Sequence, residues 1–115
     1  MAKGDDIRAR AFRFACDVVE LHDLLWPRGG SVRVTCGQLL RSSSSIGANL
    51  EEADAAQSKA DFTHKCTIAL KEARESHYWL RILVATKKIE NEHLLSDCNE
   101  IVAILTSIAR KANTK

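Results

Sequence analysis

Glu51, Glu52, Glu72 and Glu75 are the residues of this sequence that most invite a chemical reading. Acids that converge can hold a cation or trade a proton between them. Four carboxylates with cations nearby can also do nothing more than form ion pairs, and Arg41, Lys71, Arg74 and Arg81 are at hand to do so. We prefer the ion-pair reading. Asn49 shares a helical stripe with Ser42, Ser45, Ala53 and Ala56. If buried, its amide needs partners, because an unpaired buried polar group costs about 1–3 kcal/mol. Glu72, Glu75, or a carbonyl or helix end across a subunit boundary could supply them. An Asn that fixes helix register is preferred to one that binds a ligand.

Enzyme chemistries find little else to work with. A di-iron bundle needs two Glu-x-x-His motifs and two further carboxylates. Glu90-x-x-His93 is a single match, and it lies at a helix start. His22, His64 and His77 fall on different segments without paired spacing. The serines lack a nucleophile elbow, and no glycine-rich phosphate loop occurs. Cys16, Cys36, Cys66 and Cys98 are far apart, so they read as reduced thiols packed like small apolar residues rather than zinc ligands. The expectation is a non-enzyme with no metal and no cofactor.

Cations offer a third chemistry, contact with nucleic acid. The net charge is only +2. The surplus sits in residues 58–90, with seven Lys and Arg against four Asp and Glu. Arg8, Arg10 and Arg13 open the first segment, Lys87 and Lys88 end the third, and Arg110 and Lys111 end the fourth. Solvated helix faces explain each cation singly. In an antiparallel bundle, however, Arg8, Arg10, Lys59, Lys65, Arg110 and Lys111 could gather at one rim.

The elements that position these residues are helices. The chain has 115 residues, one Pro and five Gly, which suits a single helical domain. Ile7, Ala11, Phe14, Val18, Leu21 and Leu25 alternate steps of four and three, the seam of an amphipathic helix over 5–25. Asp5 and Asp6 suit its N-terminus, and Trp26-Pro27-Arg28-Gly29-Gly30 ends it. A second helix is predicted over 32–56, with Ser31 as N-cap and Val32, Cys36, Leu39, Leu40, Ile46 and Leu50 as its larger apolar residues. A third, over 58–86, opens on a capping-box-like Ser58-x-x-Asp61. It carries one stripe of Phe62, Cys66, Ala69, Leu70, Ala73, His77, Leu80 and Val84 and a second of Ile68, Glu72, Glu75, Trp79 and Ile82. A fourth runs over 91–112, seamed by Leu94, Cys98, Ile101, Leu105, Ile108 and Ala112. Four such helices with short connections predict an antiparallel up-down-up-down bundle.

One block stands out within that frame. Ser45-Ile46-Gly47-Ala48-Asn49-Leu50-Glu51-Glu52-Ala53 reads as helix yet is small on nearly every face, with no Lys, Arg or Gln between Ser42 and Ala56. Small residues let other backbones come close. Tyr78 to Val84 shows a matching surplus of apolar surface, in which Arg81 is the one polar residue. Together they point to packing and assembly.

This block, followed by Ser58-Lys59-x-x-Phe62, Ile68-Ala69-Leu70-Lys71-Glu72-Ala73-x-Glu75 and Tyr78-x-Leu80, resembles a known signature. It is that of the bacterial four-helix bundle family named after proteins encoded in intervening sequences of large-subunit ribosomal RNA genes. The family also includes the accessory protein of diversity-generating retroelements. Glu51-Glu52-Ala53-Asp54 departs from the family's usual Ala-Glu-Gly. The resemblance implies a homopentameric barrel of bundles without enzymatic activity. It also implies association with RNA, DNA or a reverse transcriptase in the retroelement branch. No signal peptide or membrane span is legible, so a cytoplasmic, non-membrane protein is expected. The expected role is an assembly or adaptor protein with a basic rim. The alternatives are a pure protein-interaction module docking near Tyr78, Trp79 and Ile82, and, last, a metal- or small-molecule-binding bundle.

Overall fold

Apolar residues at four-three spacing leave each segment one oily stripe, and the stripes close on one another. The computed structural model describes residues 3–90 and 92–113, and for residues 3–6 and 92 the backbone alone. The expectations for the side chains of Asp5 and Asp6, for a helix start at Asn91 and for the Thr114–Lys115 tail lie outside the described residues. Four helices make up the chain: α1 (Lys3–Leu25), α2 (Gly30–Asp54), α3 (Lys59–Ala85) and α4 (Glu92–Ala112), with a 3-10 turn at Trp26–Arg28. Consecutive helices pack side by side, and α1 closes on α4 more sparsely than any other adjacent pair. Ion pairs joining the start of α1 to the end of α2, and the end of α2 to the start of α3, show the antiparallel course. The bundle measures 47 × 23 × 20 Å. Among the described residues no helix is long and apolar enough to cross a membrane.

The core holds Phe14, Val18, Leu39, Ile46, Leu80, Leu94, Ile101 and Leu105, all essentially inaccessible. The stripe of α3 differs from expectation. Ser76 and Leu83 take the core seats, while His77 and Val84 are half-buried and Phe62 is exposed. The reason is a pair of hydroxyls: Ser76 meets Ser42 of α2, Oγ to Oγ at 2.8 Å, and both are fully buried. With that pair inside, Cys66, Ala69, Ala73, Ser76, Leu80 and Leu83 face inward. Ser42 to Ser45 continue the helix without a break. Three cysteines pack as small apolar residues, whereas Cys16 is exposed.

The helix ends are set locally. Ser58 caps α3 by accepting from the Asp61 backbone N–H at 3.0 Å. Ser31 does not cap α2: the helix begins one residue earlier, and Gly29 stands at the cap with no side-chain bond. Gly29 and Gly30 have φ of 70° and 62°, a left-handed path that suits glycine and lets the chain reverse so tightly that Ser31 is already helical. Trp26 braces this corner. His22 stacks on its ring at 4.9 Å, the Arg33 guanidinium lies 4.8 Å from its centroid, and Arg33 Nε donates to its carbonyl at 2.7 Å. After α3, Lys87 takes φ 58° while its N–H reaches the Val84 carbonyl and that of Lys88 reaches Leu83, a Schellman closure with lysine where glycine is usual. Arg28 donates to the Lys88 carbonyl at 2.8 Å and ties the two corners together.

Candidate functional site

Five of the signature residues, Ser45, Asn49, Glu72, Glu75 and Trp79, converge on the groove where α2 and α3 meet the surface. Ser42 and Ser76 hold the helices close, and one layer outward Ser45, Asn49, Glu72, Glu75 and Trp79 line the seam. Asn49 Nδ2 donates to the Ser45 carbonyl at 2.8 Å and to Ser45 Oγ at 3.2 Å. Ser45 Oγ in turn lies 3.4 Å from Glu72 Oε2. The Arg41 guanidinium reaches Glu72 at 3.4 Å and pairs with Glu75, while its Nε donates to Gln38 at 3.1 Å. Trp79 Nε1 donates to Glu75 at 2.9 Å, and Tyr78 lies edge-on to the Trp79 ring.

One continuous polar chain therefore runs from Asn49 through Ser45, Glu72, Arg41 and Glu75 to Trp79. Among the described residues no buried side-chain polar atom is left without a partner. The Asn49 amide turns back onto its own helix and reaches Glu72 only through Ser45. A β-hydroxyl one turn earlier is closer than a carboxylate on the next helix. Arg41 is half exposed, so each of its ion pairs contributes about 0–1 kcal/mol. The arrangement aligns α2 with α3. Its carboxylates are already bridged by a guanidinium, an indole and a hydroxyl.

Of the cations expected to gather at one rim, Arg8 and Lys65 both meet acids at the end of α2. Arg8 lies 3.2 Å from Asp54 and 3.5 Å from Glu51. Lys65 lies 2.7 Å from Glu52, whose hydrogen bond and charge hold its ammonium above the ordinary lysine value. Arg10 lies 2.9 Å from Glu100, midway along α4. Arg13, Lys59, Arg110 and Lys111 are exposed. Glu51, Glu52 and Asp54 end α2 at the rim where Arg8 and Lys65 sit, so the local field is mixed rather than basic.

Beside the polar seam lies an apolar surface that the sequence reading did not single out. Phe12 and Val19 on α1 and Trp26 in the 3-10 turn that follows are exposed at seven-residue intervals, Phe12 at 69%. They share a stripe with Arg8, which pairs with α2, and with His22, which stacks on Trp26. Val34 of α2 is 68% exposed, and Tyr78 of α3 is 53% exposed. On one stripe with Val34 and Arg41, α2 presents Gly37, Ser44 and Ala48. A methyl placed at Gly37 would meet nothing within 4 Å. Gly47 behaves differently: a methyl there would lie 3.8 Å from that of Ala11, so this glycine serves α1–α2 packing inside the bundle rather than the outer face. The seven-residue repeat of Phe12, Val19 and Trp26 was the available signal, hidden behind the stronger core seam of the same helix.

Comparison with known proteins finds both a family model and a solved structure similar to this chain. The family model described as 23S rRNA-intervening sequence protein matches residues 5–107. A crystal structure of a protein with unknown function from the S23 ribosomal protein family of Bacteroides thetaiotaomicron is 39% identical. The alignment covers 95% of this chain and 99% of that one, with a TM-score of 0.85. No curated protein matches.

Proposed function

The chain belongs to the 23S rRNA-intervening sequence protein family, and from that premise we propose that it is a non-enzymatic, self-assembling bundle that acts as an assembly or adaptor protein. The observation that carries this reading is the outer face of α2. There the small residues Gly37, Ser44 and Ala48 share one stripe with Val34 and Arg41, a face we read as a trough for a partner helix, and Phe12, Val19 and Tyr78 are exposed on the neighbouring helices. A helix ridge of a second copy fits such a trough, and its burial would remove apolar surface from water at about 25 cal/mol per Å². Asn49, Ser45, Glu72, Arg41, Glu75 and Trp79 already bond one another within one subunit, which lowers the cost of covering them. A closed ring of five is the assembly that the family resemblance implies. Replacing Ala48 by Leu fills the trough, and light scattering should then show a smaller mass than the parent with unchanged helical circular dichroism. An unchanged mass would remove this face from the assembly.

Nucleic acid, or a reverse transcriptase as protein partner, takes second place. Arg8, Arg10 and Lys65 are engaged by Asp54, Glu100 and Glu52, which lowers the field available to phosphates. Anisotropy titrations with mixed RNA and DNA oligomers should show weak or no binding at low salt. Tight, steeply salt-dependent binding that is lost when Arg8 and Arg110 become Glu would reverse this order.

A further inference from the structure

We propose that Asp17, His93 and Asp97 form a binding site for a divalent transition metal that staples α1 to α4. One ligand atom from each of the three side chains lies within 4.8 Å of the other two. His93 and Asp97 stand one turn apart on α4, with Nε2 to Oδ2 at 3.2 Å, and Asp17 comes across from α1. They line a groove of about 350 Å³ together with Arg10, Arg13 and Glu100. Ligands sharing one tetrahedral zinc ion at about 2.0–2.1 Å stand about 3.3 Å apart. The His93–Asp97 pair already has that spacing, and Asp17 need close by no more than about 1.5 Å to match the bond lengths zinc prefers.

Electrostatics favours a cation there. Two carboxylates held this close repel, and a dication between them removes the repulsion. Of the two arginines in the groove, Arg10 is bound to Glu100 at 2.9 Å, while Arg13 at the rim limits the affinity. One imidazole with two carboxylates selects zinc and its transition-metal neighbours over magnesium and calcium, which favour all-oxygen sites. Three protein ligands leave at least one coordination position for water. The site joins the most sparsely packed adjacent helix pair, and it lies on the α4 side of α1, away from the stripe beside α2. It does not depend on the assembly reading.

The test uses tag-free protein dialysed against chelator and titrated calorimetrically with zinc chloride, with magnesium chloride in parallel. One zinc per chain and no response to magnesium are expected. Asp17→Asn and His93→Ala should each weaken zinc binding at least tenfold without changing the circular dichroism. Saturating zinc should raise the parent's Tm by roughly 5 °C, and both variants should lose that rise. Absence of stoichiometric zinc overturns the proposal. Binding that survives His93→Ala overturns it by placing the ion on His22, His64 or His77. Binding that survives Asp17→Asn overturns the staple by leaving the metal on α4 alone.

Discussion

Removing the Ser42 hydroxyl should cost more than removing that of Ser76, and removing both should cost less than the sum. The two oxygens are 2.8 Å apart and fully buried in the α2–α3 seam. Ser42 Oγ also lies 3.3 Å from the Leu39 carbonyl. After Ser76→Ala it therefore keeps an acceptor, and the loss is that of one ordinary hydrogen bond, about 0.5–1.5 kcal/mol. Ser42→Ala instead strands the Ser76 hydroxyl in the core at about 1–3 kcal/mol. In the double variant nothing polar remains to be desolvated, so a coupling of about 1 kcal/mol should appear in the cycle. Urea unfolding followed by circular dichroism gives the three differences, provided m stays constant and one protein concentration is used throughout. Equal single losses that add to within about 0.3 kcal/mol would refute the pairing, and with it the reason given for the rotation of α3.

Other outcomes follow from the geometry. At a concentration where the chain is dissociated, Gly37→Ala should stabilise the bundle by about 0.8–1 kcal/mol, because within one subunit its methyl meets nothing. Gly47→Leu should destabilise it by about 1–3 kcal/mol, because Ala11 leaves room for little more than a methyl, and thermal melts will show the opposite signs. Lys87→Gly should add about 0.5–1 kcal/mol by relieving a left-handed lysine, measurable as a higher urea midpoint. Burial, and then the Asp97 charge, push the Cys98 thiol up to about 12, and burial raises those of Cys36 and Cys66. A thiol reagent at pH 8 should therefore label Cys16 first. Because the folded pKa of Cys98 exceeds the ordinary 9.0, its contribution is intact below pH 9. It is lost above that at about 1.4 kcal/mol per pH unit until pH 12, which an alkaline unfolding series with Cys98→Ala as control will reveal.

The helices were legible in the sequence because their signal is local. Four-three spacing in the first and last segments placed Ile7, Phe14 and Val18 and Leu94, Ile101 and Leu105 in the core, and Ser58 announced its cap three residues ahead. The family signature was also local, carried by 38–83, and the family match spans 5–107. What was hidden depends on neighbours distant in sequence. Ser76 rather than His77 faces inward because Ser42 lies opposite. Gly47 looked like part of an outer face until Ala11 was found beside it. Arg8 and Lys65 meet Glu51, Glu52 and Asp54 because α2 ends beside the starts of α1 and α3. The metal cluster draws Asp17 from one end of the sequence and His93 and Asp97 from the other. Within it only the one-turn step between His93 and Asp97 was open to reading along the chain.

Sedimentation equilibrium of the parent protein at micromolar concentration tests the central claim most directly, since it asks whether the α2 face is covered by other copies. A mass of several chains, five if the ring closes as the family resemblance implies, is the expected result. A mass of one chain, concentration-independent and unchanged by Ala48→Leu, would contradict it.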